Sequence, residues 1–269
     1  MYSKIQETAS WLKGKITSKP TTAIILGTGL GQLVDEIEVT QSIPYAEIPH
    51  FPQSTVEGHS GRLILGLLGG KEILAMQGRF HFYEGYPMSE VTFPVRVMYE
   101  LGIRTLFVSN ASGGTNPNFS VGDIMIITDH INMFPENPLR GPNFPTGPRF
   151  PDMHEAYDHE LITMADEIAT EKGIKVQHGV YLGTQGPTFE TPAEYRMFAR
   201  MGADAVGMST VPEVIVARHC GIRCFGVCII TDLGVGQKIE KVTHEDVQKA
   251  ANAAQPRMAT IMEEMIRRS

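Results

Sequence analysis

Residues 22–37, Thr22-Ala-Ile-Ile-Leu-Gly-Thr-Gly-Leu-Gly-Gln-Leu-Val-Asp-Glu-Ile37, set the fold class. Thr22–Leu26 is an unbroken apolar run, the pattern of a strand buried on both faces. Glycines 27, 29 and 31 break it, and Leu30–Ile37 resumes with the spacing of an amphipathic helix. A buried strand that turns into a helix through glycine belongs to an α/β protein.

The same alternation continues along the chain. Strands are predicted at Thr22–Leu26, Leu63–Leu67, Glu72–Met76, Thr105–Ser109, Ile124–Ile127, Val176–Leu182, Ala205–Gly207 and Cys224–Ile230. Helical patterns fall at Gln6–Lys13, Leu30–Ile37, Phe93–Leu101, His159–Lys172, Ala193–Met201, Val211–Cys220 and Glu245–Arg267, with Pro256 expected to kink or interrupt the last. Thr191-Pro-Ala-Glu194 and Thr210-Val-Pro-Glu213 both read as capping boxes. Phe134–Met153 holds six prolines together with Arg140, Asn143 and Arg149, and reads as a long functional surface loop. No linker divides the chain, so residues 1–269 are expected to form one domain.

Composition narrows the function. The 269 residues carry 23 basic against 30 acidic groups, a net of −7, and no long Lys/Arg run, which speaks against nucleic-acid and membrane-surface partners. No segment approaches the roughly 20 apolar residues that span a bilayer. Met1–Lys15 lacks a signal-peptide core. The three cysteines (Cys220, Cys224 and Cys228) share one apolar stretch without metal-ligand spacing. A reducing, cytoplasmic setting and no metal are therefore expected.

The chemistry is concentrated in loops. Gly27-Thr28-Gly29-Leu30-Gly31 aims backbone N–H groups and a hydroxyl at one point, which suits an anion, although a plain turn would use the same glycines. It is not the dinucleotide fingerprint, because its third glycine comes one position early. After a second strand, Gln77–Gly85 puts Arg79, His81 and Tyr83 on one face if extended, with Phe80 and Phe82 on the other. Such a row can clamp an oxyanion and a sugar hydroxyl, or form a polar edge over aromatics. His59, between glycines 58 and 61, is either a phosphate ligand or a turn histidine. Asn110–Gly114 reads as a glycine turn exposing backbone donors. Phe189 and Glu190 are either a base-recognition pair, ring stacking and carboxylate accepting, or a staple beside a capping acid. Val206–Thr210 leads into a helix with Ser209 able to serve an anion, and Asp232 and His244 stand at element ends.

Together these segments are specific. GTGLG (27–31), EGHSGR (57–62), QGRFHFYEG (77–85), SNASGG (109–114), DHINMFPENPLRGPN (129–143), GPTFETPAEYR (186–196) and VGMSTVPE (206–213) follow the order and spacing of purine nucleoside phosphorylases. The chain resembles their trimeric, 6-oxopurine-preferring class from about residue 20 to residue 250. The resemblance implies an α/β domain around a mixed, partly barrel-like sheet flanked by helices. It also implies phosphorolysis of purine (deoxy)ribonucleosides such as inosine and guanosine, with inorganic phosphate as co-substrate and no cofactor. The roles it carries over are phosphate contacts from Thr28, His59, Arg79, His81, Ala111 and Ser209. Tyr83, Met208 and His244 would meet the ribose, and Phe189, Glu190, Val206, Gly207 and Asp232 the base. Catalysis would fall to His81, Glu190 and Asp232. A homotrimer is implied, with Phe144 the candidate contributed across the interface.

One departure stands out. The 6-oxopurine class has asparagine where this chain has Asp232. An ionised aspartate favours a 6-amino group, whereas Glu190 matches the N1–H of hypoxanthine or guanine. A proton on Asp232, raised by burial beside Glu190, would reconcile them by donating to N7. Inosine and guanosine are then expected substrates, with adenosine tolerated. The other readings are a 5′-methylthioadenosine phosphorylase, against which His244 speaks, and a silent nucleoside-binding protein, against which Arg79, His81 and His59 speak.

Overall fold

A computed structural model of the chain describes residues 1–27, 31–53, 61–234 and 242–269. The apolar run Thr22–Leu26 forms β1, buried at every position. Its side chains alternate between two cores. Ala23 and Ile25 face the layer that holds α1 (Tyr2–Lys15), α3 (Phe93–Leu101) and α6 (Val211–His219). Ile24 and Leu26 face α4 (His159–Lys172) and α7 (His244–Arg268). Burial on both faces explains the unbroken apolar run.

The remaining strands are β2 (Glu38–Pro44), β3 (Arg62–Leu68), β4 (Lys71–Gln77), β5 (Thr105–Gly114), β6 (Ile124–Asn132), β7 (Val176–Gly183), β8 (Ala205–Gly207) and β9 (Arg223–Leu233); α2 (Met88–Val91) and α5 (Pro192–Met201) complete the helices. The sheet runs β2-β3-β4-β1-β5-β8-β7-β6-β9, and β9 pairs back onto β5. Five strands therefore close into a ring, and β2, β3, β4 and β1 extend it as an open mixed sheet. This is the barrel-like arrangement that the resemblance implied.

Several expectations change. Asn110–Gly114 is not a turn: β5 continues through it, pairing Gly113 with Val206 and Gly114 with Ala205. Its register against β9 shifts between Ser112 and Gly113, so that Gly113 lies opposite Asp232. Small residues let three strands converge there. Where Leu30–Ile37 was expected to be α-helical, the described residues form a 3-10 helix over Gly31–Glu36, a form common in short connecting pieces. β2 was missed because it is a polar, largely exposed edge strand. The last helix runs through Pro256 without interruption. Buried Ala251, Ala254, Met258 and Met262 along its length offset the lost backbone bond.

Candidate active site

A cleft of about 630 Å³ opens at the carboxyl ends of β5, β8 and β9, the usual place for ligands in α/β sheets. Its floor is Asn110–Gly113 of β5, Val206 and Gly207 of β8, and Thr231 and Asp232 of β9. Arg79, His81, Tyr83 and Glu84 enter from the segment after β4. Phe189 and Glu190 precede α5, Met208 and Ser209 precede α6, and His244 begins α7. Every predicted site residue within the described part of the chain thus lines one cleft. Thr28 and His59 lie outside the described residues.

One end is built around a guanidinium. Arg79 is 1% exposed. Its Nε and Nη2 donate to the two carboxylate oxygens of Glu213 at 3.1 and 2.9 Å, while Nη1 donates to the Ser109 carbonyl at 2.7 Å and to Ser209 Oγ at 3.2 Å. A bidentate fork of this kind fixes the plane of the guanidinium. Gly27 is needed beside it, because a Cβ there would lie 2.6 Å from the Ser109 carbonyl and 2.9 Å from Arg79 Nη1. His81 is held equally firmly: its backbone N–H donates to Glu84 at 2.7 Å, and its Nδ1 lies 3.2 Å from the same oxygen. A carboxylate only accepts, so Nδ1 carries the proton. Burial lowers the pKa of this imidazole against the opposing pull of Glu84, so a neutral ring presents Nε2 as an acceptor. Its ring stacks on Tyr83 at 4.7 Å. The segment is not one extended strand, since Phe82–Glu84 is a 3-10 turn. The two faces separate as expected nonetheless: Phe80 packs on Tyr45 and Phe51, and Phe82 on Phe134.

The other end is acidic. Glu190 and Asp232 both line it, and no basic side chain is among the groups that perturb Glu190. Burial first, and the charge of Asp232 after it, push the Glu190 carboxyl up to about 7. Asp232 meanwhile accepts from the Tyr195 hydroxyl at 2.7 Å and from Thr231 Oγ1 at 3.0 Å. Glu190 is therefore an acid pushed toward holding a proton in this corner.

Residues 21–267 match the family model of the phosphorylase superfamily. The chain is 52% identical over 250 residues to purine nucleoside phosphorylase 1 of Bacillus subtilis, covering 93% of this chain and 92% of that protein. It is 51% identical over 261 residues to the Rattus norvegicus purine nucleoside phosphorylase, covering 94% and 90%. A crystal structure of Schistosoma mansoni purine nucleoside phosphorylase with adenosine matches at a TM-score of 0.93 and 42% identity, over 98% of this chain and 96% of that one. The inosine complex from the same organism matches at 0.94 and 41%, over 99% and 96%. The chain belongs to the phosphorylase superfamily.

Within that family frame, four supporting residues escaped the sequence reading. Glu213, read as the acid of a capping box, leaves the helix end uncapped and pairs with Arg79 instead. Its signal was an acid within the otherwise apolar run Val211–Ala217. Thr210 sits at φ 70, a backbone region that β-branched residues avoid. Its hydroxyl accepts from Asn110 Nδ2 at 2.8 Å, tying the Ser209 turn to β5. Glu84 and Tyr195 hydrogen-bond to His81 and Asp232 and carried no local signature of it. The Thr191 capping box formed as predicted, with bonds of 2.7 and 3.2 Å.

Phe144 is half-buried in its own chain, with the Arg96 guanidinium 3.8 Å above its ring and Tyr2 at its edge. Phe150, in the same proline-rich loop, is the exposed phenylalanine at 87%. Cys220, Cys224 and Cys228 are buried free thiols. Among the described residues, no cluster of His, Cys, Asp or Glu has the makings of a metal site, and no helix is long and apolar enough to cross a membrane.

Proposed function

We propose that the chain cleaves purine nucleosides with inorganic phosphate, releasing the free base and (deoxy)ribose 1-phosphate, as a purine nucleoside phosphorylase. The observation that carries this reading is the polarity of the cleft. A fixed guanidinium, a hydroxyl and an imidazole gather at one end, two acids at the other, and the 630 Å³ between them is room for a nucleoside and a phosphate. Relatives with this fold bind adenosine and inosine, which supports the same substrate class here.

The chemistry follows from the groups. A phosphate oxygen forms a bond to the anomeric carbon while the bond from that carbon to the purine nitrogen breaks, and its electron pair leaves with the base. No side-chain nucleophile and no cofactor take part; the protein orients both reactants and stabilises charge. Arg79, Ser209 and the Ala111 backbone hold the phosphate, together with Thr28 and His59. Neutral His81 accepts the remaining proton of the phosphate through Nε2. Tyr83, Met208 and His244 border the ribose. Phe189 stacks on the base over Val206 and Gly207, while Glu190 serves its N1 edge.

We further propose a homotrimer working in the cytoplasm, with Phe150 rather than Phe144 as the ring offered to a neighbouring subunit. Its exposure supports that choice. The decisive experiment is base release from inosine and guanosine with and without phosphate. Turnover that requires phosphate and yields the sugar 1-phosphate is expected. Equal turnover without phosphate would make the protein a hydrolase and overturn the reading.

A further inference from the structure

We propose that Tyr195 is a positioning residue that sets purine preference: by donating its hydroxyl to Asp232 it holds that carboxylate as an acceptor toward the 6-position, so that the cleft takes 6-amino as well as 6-oxo purine nucleosides. The inference rests on reading the cleft as a purine nucleoside site, and deepens that reading.

Tyr195 lies in the first turn of α5, 5% exposed, packed with Phe198, Leu182 and Val206. Its ring is therefore fixed by a small core behind the cleft wall. Its hydroxyl reaches Asp232 Oδ2 at 2.7 Å. Gly113 makes that reach possible, since a Cβ there would run into the tyrosine hydroxyl and lie 3.0 Å from Asp232 Oδ2. The register shift between β5 and β9, where Thr231 is the extra residue, is what brings Gly113 opposite Asp232. On the other side, Thr231 Oγ1 donates to Asp232 Oδ1 at 3.0 Å.

Oδ2 thus has the tyrosine donor, Oδ1 shares the one Thr231 proton with the Ser112 carbonyl, 3.3 Å from that hydroxyl, and both oxygens keep lone pairs for a ligand. An amino group at the purine 6-position can donate to them; a 6-oxo group cannot. Glu190, itself within the field of Glu194, is placed to interact with both Tyr195 and Asp232. It serves the N1 position in either protonation state, so the 6-position is left to Asp232 and, through it, to Tyr195. An asparagine in place of Asp232 would have turned an N–H outward once its oxygen had taken the tyrosine proton.

The test measures kcat/KM for adenosine and inosine, at saturating phosphate, in the unaltered protein, Tyr195→Phe, Asp232→Asn and the double variant. Phenylalanine keeps the packed ring and removes the donor, so Asp232 becomes free to turn or to take up a proton and donate. The adenosine-to-inosine ratio is expected to fall about tenfold in Tyr195→Phe and to stay within about twofold when the same change is made in the Asp232→Asn background. The ratio does not depend on the fraction of protein folded. An unchanged or increased ratio in Tyr195→Phe, or an equal fall in both backgrounds, would overturn the inference. Failure of the unaltered protein to split either nucleoside with phosphate would instead remove the reading beneath it.

Discussion

The two ends of the cleft are built on opposite electrostatic plans. At the end proposed to take phosphate, the guanidinium and the imidazole each have a dedicated carboxylate: Glu213 pairs with Arg79, and Glu84 accepts from the neutral His81 ring. At the base end two acids face each other, with hydroxyls rather than cations for support. The first plan fixes charge and geometry whatever the substrate. The second leaves a proton free to come and go on Glu190, whose carboxyl is pushed up to about 7. On the proposed assignment a dianionic co-substrate never changes whereas the base does, so the cleft carries fixed ion pairing where its ligand is constant and a titratable acid where its ligand varies.

The most direct way to break that contrast is to remove a counter-charge. Glu213→Ala leaves the Arg79 guanidinium buried without its carboxylate, and losing one partner of a buried pair costs about 3–5 kcal/mol. Urea denaturation should show a loss of that size together with a raised KM for phosphate. A loss below about 1 kcal/mol would mean that the phosphate end is not anchored in the core as described. Next in size, Glu190→Ala should lower kcat/KM for inosine by about 10²–10³ while leaving the KM for phosphate unchanged. A comparable rise in that KM would show that the two ends are not independent.

Protonation sharpens the comparison further. The raised carboxyl of Glu190 stays protonated to about pH 7; below that it donates to the bare N1 of adenine, and above it accepts the N1–H of hypoxanthine. Between about pH 6 and about pH 8, kcat/KM for inosine should therefore rise and that for adenosine fall, each by about tenfold. Parallel profiles for the two nucleosides would place the titration elsewhere.

The site was legible where chemistry lies in contiguous segments, and illegible where it lies in the support behind them. Arg79, His81, Tyr83, Phe189 and Glu190 sit in contiguous segments whose order and spacing carry the resemblance, and β1 announces itself because burial on both faces demands an unbroken apolar run. Glu213 was mistaken for a cap because Thr210-Val-Pro-Glu213 fits the local rule, while a guanidinium 134 residues away in sequence claims the carboxylate. Tyr195 looked like one more helix residue, since its partner is 37 residues downstream and a register shift brings the two together. The packing of the proline-rich loop was illegible for the same reason: only the fold shows that Arg96 lies over the Phe144 ring and that Phe150 is exposed.

The smallest effect tests whether the base end depends on its helix. The Thr191 hydroxyl accepts from the Glu194 N–H at 3.2 Å, and the Glu194 carboxylate accepts from the Thr191 N–H at 2.7 Å, fixing the turn that separates Phe189 and Glu190 from Tyr195. Thr191→Ala should cost about 1 kcal/mol of stability, readable as a small drop in melting temperature. Because the box touches only this end, the loosened turn should raise the KM for the nucleoside a few-fold and leave that for phosphate where it was. If both constants moved together, α5 would be coupled to the guanidinium end through β8, and the division of the cleft into a fixed half and an adjustable half would fail.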